Sequence, residues 1–230
     1  MKTHLKTCFG LLFTILLLGS CAKKDDDVVS NLSGLSIVNA SPSFDLLDVY
    51  VDQTKVTNDF SDFTFGSKID YLSVYSGTRF MTLTKKGSRE PLSQQSFILA
   101  PQYGYTLFVI DKPQNIQLMM LPDNLTKPEK GMASVRFANL SPDSEPLTLS
   151  VAGGLDYLIT NIAYKQYSNP MMVHANDPLE FQIRSHQTGG LVLSMAGIKL
   201  EEGKIYTIYV KGLMEASNET KISSAIYTHK

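Results

Sequence analysis

The chain has 230 residues and a formal net charge of −1, with 43% hydrophobic and 19% charged residues. It is too apolar for a disordered polymer and long enough to bury one or two ordinary cores. The near-neutral charge argues against a nucleic-acid-binding protein, and the 15 Gly and 10 Pro residues exclude collagen-like and low-complexity classes.

Residues 1–20 have the three-part layout of a secretory signal peptide. Lys2 and Lys6 precede an apolar run from Phe9 to Leu18, and Gly19-Ser20-Cys21 follows directly. The run is shorter than the roughly 20 residues that cross a membrane, so a permanent transmembrane helix is the weaker interpretation. We expect this segment to be removed, which leaves a formal charge of −3.

The small residues directly before Cys21 resemble a bacterial lipobox. The resemblance implies cleavage between Ser20 and Cys21, a diacylglycerol on the Cys21 thiol and acylation of the new amine with a fatty acid such as palmitate. Since each buried CH₂ contributes about 0.8 kcal/mol, two or three acyl chains hold a protein on a bilayer almost permanently. A soluble protein with a chance cysteine at this place is the weaker alternative.

Cysteine use fits a lipoprotein. Cys8 leaves with the signal peptide and Cys21 carries the lipid, so the folded part has no thiol for a disulfide, a metal or nucleophilic catalysis. We therefore expect the fold to be held by its apolar core alone.

Residues 21–33 are polar and without periodicity, and they predict a flexible tether. At 3.3–3.6 Å per residue, the tether would hold the folded part up to roughly 40 Å from the membrane. Its Asp25-Asp26-Asp27 run fits a solvated spacer, and it also resembles export signals that send some Gram-negative lipoproteins to the outer face of the outer membrane. The sequence predicts an outer-membrane lipoprotein and leaves the inner or outer face open.

The rest of the chain repeats with a period close to 100 residues. Asn39-Ala40-Ser41-Pro42 recurs as Asn139-Leu140-Ser141-Pro142, and the apolar segment Tyr105–Val109 recurs as Tyr206–Val210. This period is too long for a solenoid repeat. We predict two tandem domains, at residues 34–123 and 131–230, joined around Pro122 to Lys130.

Within each unit, apolar residues alternate with polar ones over short stretches, as around Val49 and Val51 or around Phe181 and Ile183. This alternation indicates strands with one buried face. Clusters of Gly, Pro, Asn, Asp and Ser separate the strands, and no stretch has the pattern of an amphipathic helix. We predict an all-β chain whose two domains are β-sandwiches of immunoglobulin-like or transthyretin-like type.

Two local motifs support this fold. The Asn-x-Ser-Pro elements are expected to end a strand, because proline cannot donate to the ladder and the Asn and Ser side chains bond nearby backbone groups. Tyr105 and Tyr206 each follow a turn, and we predict that each forms a tyrosine corner, whose hydroxyl bonds back to the preceding backbone.

These residues also carry a family resemblance. Asn39-Ala40-Ser41-Pro42, Asp48-Val49-Tyr50-Val51-Asp52, Tyr71-Leu72-Ser73-Val74, Gly77 and Tyr105-Thr106 resemble the bacterial envelope family called domain of unknown function 4397 (DUF4397). The resemblance covers residues 34–121 and, less closely, residues 132–228. It implies a non-catalytic β-sandwich on an extracellular lipoprotein and carries over no catalytic residue.

Motifs for catalysis or metal binding are missing from the sequence. There is no His-Glu-x-x-His zinc motif, no nucleophile elbow and no phosphate-binding loop. His174, His186 and His229 are expected in turns or on the surface, because their spacing does not bring zinc ligands together. Asp48 and Asp52 share one face of a strand, which we expect to be solvated. The sequence thus predicts no enzyme, no cofactor and no metal.

Two segments are candidate contact surfaces. Tyr164, Tyr167 and Met171 surround a turn with a composition suited to an adaptable interface, and the alternative is that Tyr167 and Met172 fill the second core. Ile116–Leu121 is apolar on both strand faces, which fits a fully buried strand or, as we favour, the seam between the two domains.

The sequence is most consistent with a lipid-anchored envelope protein that has a non-catalytic binding, adhesion or structural role. Its expected partners are the membrane, through the lipid, and an envelope protein or glycan, with no nucleic acid. The alternative is a glycan-binding accessory module of a surface nutrient-capture complex, which needs an exposed Tyr or Phe platform ringed by polar groups. A hydrolase is the third hypothesis, and it needs converging carboxylates, or His with Ser, in a cleft.

Overall fold

The computed structural model describes residues 31–154 and 157–229. The predicted signal peptide, Cys21 and the tether up to residue 30 lie outside the described residues. Within the described ranges the chain is all-β, with 17 strands and one short 3₁₀ turn at Pro113–Asn115, which confirms the predicted fold class. In the same ranges no helix has the length and apolar content to span a membrane.

Residues 31–230 form one compact unit, and its N-terminal half, residues 31–123, is built from two sheets. Its strands are β1 (Leu32–Asn39), β2 (Leu47–Val51), β3 (Thr54–Lys55), β4 (Lys68–Tyr75), β5 (Gly77–Lys85), β6 (Pro91–Leu99), β7 (Gly104–Ile110) and β8 (Gln117–Asp123). Sheet A has the order β4-β1-β7-β8, and sheet B has the order β3-β2-β5-β6.

The C-terminal half, residues 131–229, also has two sheets. Its strands are β9 (Met132–Asn139), β10 (Leu147–Val151), β11 (Tyr157–Ile162), β12 (Gln166–Tyr167), β13 (Met171–His174), β14 (Pro178–Ser185), β15 (Leu191–Lys199), β16 (Ile205–Lys211) and β17 (Ser223–His229). Sheet C has the order β12-β9-β16-β17, with β13 also paired to β9, and sheet D has the order β11-β10-β14-β15.

The two halves share one strand pairing that is uncommon in sandwiches of antiparallel strands. In the N-terminal half β1 lies parallel to β7, with Ile37 opposite Leu107. In the C-terminal half β9 lies parallel to β16, with Phe137 opposite Ile208. These central strands are buried on both faces. Accordingly β7 and β16 are nearly continuous apolar runs, whereas β1 and β9 also bury polar side chains such as Ser36 and Arg136.

Each half has its own apolar core between its two sheets. Val49 and Leu107 are fully buried in the N-terminal core, as are Leu149 and Ile208 in the C-terminal core. Burial of an aliphatic side chain of this size contributes roughly 1.5–3 kcal/mol. A third apolar cluster lies between sheets A and C, so the sheets stack in the order B, A, C, D.

The Asn-x-Ser-Pro elements end β1 and β9 as predicted. Asn39 Oδ1 accepts a hydrogen bond of 3.1 Å from the Ser41 backbone N–H, and the Ser41 hydroxyl donates 2.7 Å to the Asp111 carbonyl. The same two bonds recur, with the same lengths, at Asn139, Ser141 and the Gly212 carbonyl. The turn therefore ties the end of the first strand of each half to the end of its parallel partner.

The hydrogen bonds also confirm the two tyrosine corners. The Tyr105 hydroxyl accepts a hydrogen bond of 2.9 Å from the Ala100 N–H. The Tyr206 hydroxyl accepts one of the same length from the Glu201 N–H. Each bond spans five residues and fixes the turn that leads into β7 or β16.

The expectation of a solvated face at Asp48 is wrong. Asp48 is 2% exposed, and its carboxylate accepts hydrogen bonds from the Thr57 hydroxyl at 2.8 Å and the Gly87 N–H at 2.9 Å. Burial acts to raise the pKa of Asp48, but these bonds and the charge of Lys55 outweigh it and hold the pKa below its usual value. Asp48 thus anchors two turns on sheet B, whereas the side chain of Asp52 is 39% exposed and pairs with Arg79.

Candidate functional site

Sheets A and C meet through an apolar layer, here called the interface cluster. It includes Val38, Ala40, Phe108, Ile110, Leu121, Ala138, Leu140, Tyr209 and Tyr227. Strand β8 serves both sides, because Leu118 packs in the N-terminal core while Leu121 packs in the interface cluster. The face of Leu121 lies at the seam between sheets A and C, as favoured from the sequence, and the strand is not fully buried, because Ile116, Met119 and Met120 are half-buried.

A buried ion pair lies at one end of this interface. Arg136 of β9 donates from Nη2 to Asp123 Oδ1 of β8 at 2.8 Å and from Nη1 to the Pro122 carbonyl at 2.8 Å. The two side chains are only 8% and 1% exposed. Arg136 also donates to the Thr207 hydroxyl from Nε at 3.1 Å. Arg136 thus bonds to both halves of the folded unit.

Asp123 receives further hydrogen bonds on its second oxygen. Tyr71 of β4 donates to Oδ2 at 2.5 Å, and Thr106 of β7 donates to the same oxygen at 2.8 Å. Burial, together with the negative charge of Asp123, raises the pKa of the Tyr71 hydroxyl well above its usual value. Tyr71 therefore stays a hydrogen-bond donor throughout the physiological pH range.

His229 completes what we call the interface network, which comprises Tyr71, Thr106, Asp123, Arg136, Thr207 and His229. Its Nδ1 lies 2.8 Å from the Tyr71 hydroxyl, and its Nε2 lies 2.8 Å from the Thr207 hydroxyl. Burial lowers the pKa of His229 to about 4; the carboxylate of Asp123 opposes this effect and the charge of Arg136 adds to it. The prediction of a turn or surface position is thus wrong for His229, which is 3% exposed.

Corresponding residues of the two halves face each other across the interface. Asp123 and His229 end β8 and β17, and their side chains approach to 3.6 Å. Phe108 and Tyr209, which take the same place in β7 and β16, pack edge to face with ring centroids 5.5 Å apart. Such like-to-like contact is the geometry of an isologous dimer, here with a carboxylate on one side and an imidazole on the other.

Above the interface network the two halves leave an open groove of about 640 Å³, here called the interface groove. This volume lies within the roughly 300–1,000 Å³ typical of small-molecule sites. Its walls come from the turn before β7, the segment after β8 and the segment after β12, with Arg136 and Asp123 in its floor. The polar and aromatic side chains of its walls are Gln102, Tyr103, Asn124, Thr126, Tyr167, Ser168 and Asn169.

Two tyrosines line the interface groove, one from each half of the folded unit. Tyr103 is 59% exposed and belongs to the turn that the Tyr105 corner fixes. Tyr167 is 43% exposed and pairs with Ala138 on the edge of sheet C. The guanidinium carbon of Arg136 lies 5.7 Å from the Tyr167 ring centroid, within the range of a cation–π contact.

The structure separates the three residues predicted as a contact surface. Tyr167 lines the interface groove, whereas Tyr164 and Met171 do not. Tyr164 is half-buried beside Lys165, and its pKa is raised by burial and by the charge of Asp111. Met171 is 43% exposed on β13. Tyr167 and Met172 are 43% and 50% exposed, so the alternative that these two fill the second core is wrong.

Sequence reasoning missed Tyr103 and Asn124. The repeat could not reveal Tyr103, because Lys204 takes the corresponding place before β16. Asn124 lies in the segment treated as a linker. The sequence did contain one signal for Tyr103. An aromatic residue stands in a short turn directly before the strand that begins at Gly104, and a short turn offers little to bury it.

Among residues 31–154 and 157–229, no group of three or more His, Cys, Asp or Glu side chains is placed to hold a metal. His174 is exposed at the end of β13, and His186 lies beside the Thr148 hydroxyl at 3.3 Å. Together with the buried His229, the three histidines lie in three different environments.

A family model described as Domain of unknown function (DUF4397) matches residues 33–150. The matched segment comprises the N-terminal half with β9 and most of β10. The predicted second copy at residues 132–228, and the domain boundaries at 34–123 and 131–230, stay predictions. A search of curated proteins finds no match.

Solved structures give distant similarities. The C-terminal domain of AlgF from P. aeruginosa is 19% identical, with a TM-score of 0.34, and the match covers 44% of this chain and 100% of that one. CBMbc, of family CBM26, from Eubacterium rectale Amy13K in complex with maltoheptaose is 10% identical, with a TM-score of 0.28 and coverages of 84% and 96%. The tip fimbrial protein Mfa3 from Porphyromonas gingivalis is 10% identical, with a TM-score of 0.29 and coverages of 86% and 99%. Similarities this distant transfer no ligand or partner to this chain.

Proposed function

We propose a function for this chain, which belongs to the family described as Domain of unknown function (DUF4397). In this proposal it is a lipid-anchored cell-envelope protein that acts by non-catalytic binding. The binding site in this proposal is the interface groove. Its cell-envelope location is inferred from the signal peptide and lipobox of residues 1–21.

The composition of the interface groove carries the proposal. Two half-exposed tyrosines stand among neutral polar side chains, which is the mixture of apolar surface and placed polar groups found in binding sites. Among its lining residues Asp123 is the sole carboxylate, and Tyr71, Thr106 and Arg136 already bond to it. Acid–base hydrolysis of a glycoside needs two available carboxylates, so the groove favours binding over hydrolysis.

The outer membrane is the proposed location, with the lipid on Cys21 and the tether of residues 21–33 between lipid and fold. The first described strand begins at Leu32, whose carbonyl accepts a hydrogen bond of 2.7 Å from the N–H of Gln102 in the groove wall. Leu32, where the described fold begins, is thus bonded to the turn that carries Tyr103.

Changing Cys21 to serine is expected to release the protein from the membrane fraction and to remove the mass of its acyl groups. The serine hydroxyl is a far weaker nucleophile than the thiolate that takes the lipid. Membrane fractionation and intact-mass spectrometry measure both effects. Cys8→Ser, within the signal peptide, is the matched control and should leave both unchanged. Acylated Cys21→Ser protein in the membrane fraction would contradict the anchor.

Photo-crosslinking in intact cells tests the proposed binding site. A photoreactive residue in place of Asn124, in the groove wall, is expected to capture an envelope partner, either a protein or a glycan. The same residue in place of Tyr157, which is 58% exposed on sheet D, is the control. Equal capture at both positions, or none at position 124, would contradict binding in the interface groove.

A glycan-binding accessory module of a surface nutrient-capture complex is the second candidate. Tyr103 and Tyr167 favour it, because they provide the exposed aromatic surfaces, ringed by polar groups, that this function requires.

A further inference from the structure

We propose that the interface groove binds a short neutral oligosaccharide, with Tyr103 and Tyr167 as its stacking surfaces. The inference rests on the proposed function, which places a binding site in this groove, and adds the chemical class of the ligand. Four properties of the lining residues support it: aromatic faces, neutral polar groups, paired charges and a fixed geometry.

The aromatic faces match the apolar side of a sugar ring. A pyranose presents C–H groups on its flat faces and hydroxyls around its edge, so it packs on an aromatic ring while its edge faces polar side chains. Tyr103 and Tyr167 are 59% and 43% exposed and both line the groove. Tyrosine also offers its hydroxyl as a donor and acceptor beside the stacked ring.

The polar groups of the walls are neutral. Gln102, Asn124 and Asn169 carry amides, and Thr126 and Ser168 carry hydroxyls. Amides and hydroxyls both donate and accept, as sugar hydroxyls do, whereas charged side chains favour ligands of opposite charge. The walls are therefore suited to a ligand that carries many hydroxyls and no charge.

The charges in the floor do not alter this preference. Arg136 and Asp123 are the charged residues among the groove lining, and they bond to each other at 2.8 Å with side chains 8% and 1% exposed. The lining residues therefore offer no unpaired cation to bind the negative groups of a carboxylated or sulfated glycan. Drawing Arg136 away from Asp123 would leave a buried carboxylate without its counter-ion, which is strongly unfavourable.

The walls are held in place before any ligand arrives. The Tyr105 hydroxyl fixes the turn that carries Tyr103, and the Arg136 guanidinium lies against the Tyr167 ring. Arg136 also bonds to the Pro122 carbonyl, next to the wall segment that contains Asn124. A site that needs little ordering on binding loses less entropy, which favours a weakly interacting ligand such as a neutral sugar.

The test is titration of the full chain, in detergent, with neutral glucose, mannose, galactose and xylose oligosaccharides and with uronic-acid oligosaccharides of similar length. At least one neutral oligosaccharide is expected to bind saturably and more tightly than any uronic-acid probe. Tyr103→Ala and Tyr167→Ala are each expected to weaken that binding about tenfold or more, as for central aromatic contacts. Tyr103→Phe and Tyr167→Phe keep the stacking face and should change affinity by less than about threefold.

Tyr157→Ala removes an equally exposed tyrosine from sheet D and should leave binding unchanged. Unaltered melting temperatures show that each variant is folded. The inference is overturned if no neutral probe binds, if a uronic-acid probe binds more tightly, or if the alanine variants bind as the parent does. If the sugar titration fails but the photoreactive residue at position 124 still captures a protein partner in cells, the proposed function holds and only the sugar class is wrong. If the titration fails and position 124 also captures nothing, the proposed function and the sugar class are both wrong.

Discussion

Asp123→Ala is expected to lower the free energy of unfolding by about 3–5 kcal/mol, the usual cost of removing one partner from a buried ion pair. The change leaves the Arg136 guanidinium, 8% exposed, without a counter-ion. It also removes the acceptor of the Tyr71 and Thr106 hydroxyls. Urea unfolding measures the loss, and an unchanged slope of free energy against urea concentration would show that compactness is unaltered.

Two comparisons make this result specific to the interface network. Asp70→Ala breaks the exposed Lys68–Asp70 pair, whose side chains are 56% and 62% exposed, and should cost no more than about 1 kcal/mol. The double variant Asp123→Ala with Arg136→Ala should lose less than the sum of the two single losses, because it leaves no isolated charge. Strict additivity would show that the pair does not couple the two halves.

Acidification from pH 7 to pH 4 is expected to destabilise the protein through His229 by up to about 3 kcal/mol. The folded pKa of His229 is about 4, against an unfolded value of 6.5. Between these pH values His229 binds a proton in the unfolded chain but not in the folded chain. Its contribution to the free energy of unfolding is therefore fully present above pH 6.5 and is lost as the pH decreases toward 4. The imidazole is surrounded by Asp123, Arg136, the Tyr71 and Thr207 hydroxyls and the Tyr227 ring.

His229→Gln separates this effect from the titration of carboxylates. Glutamine keeps hydrogen-bonding capacity toward Tyr71 and Thr207 but does not titrate, so the variant should have a flatter stability profile between pH 6.5 and pH 4. Its absolute stability at pH 7 is not the readout. An equally steep profile in the variant, or a folded-state imidazole NMR titration centred near pH 6.5, would contradict the buried neutral histidine.

Local sequence chemistry predicted several elements correctly. The Asn-x-Ser-Pro turns and both tyrosine corners form as expected, since each depends on residues within a few positions and on the exclusion of proline from the ladder. The all-β class followed from period-two alternation and turn spacing. The central strands β7 and β16 departed from alternation, because their position between two layers buries both of their faces.

Elements that depend on distant neighbours were predicted less well. Asp48 lies in an alternating strand and was expected in solvent, yet residues from two separate turns bond to its carboxylate. His229 was expected at the surface, and it is buried because sheet A covers the end of sheet C. Neither contact has a local signal, since the partners lie up to 158 residues away along the chain.

By itself the sequence determined the strand pattern, the turn and corner motifs, the family resemblance and the predicted lipid address at Cys21. Only the tertiary structure decided that sheets A and C pack together, that Asp123, Arg136 and His229 are buried between them, and that Tyr103 and Tyr167 face a common groove. The physical reason is that periodicity encodes which face of a strand is buried, but not what covers it. The candidate site is made where two such faces meet.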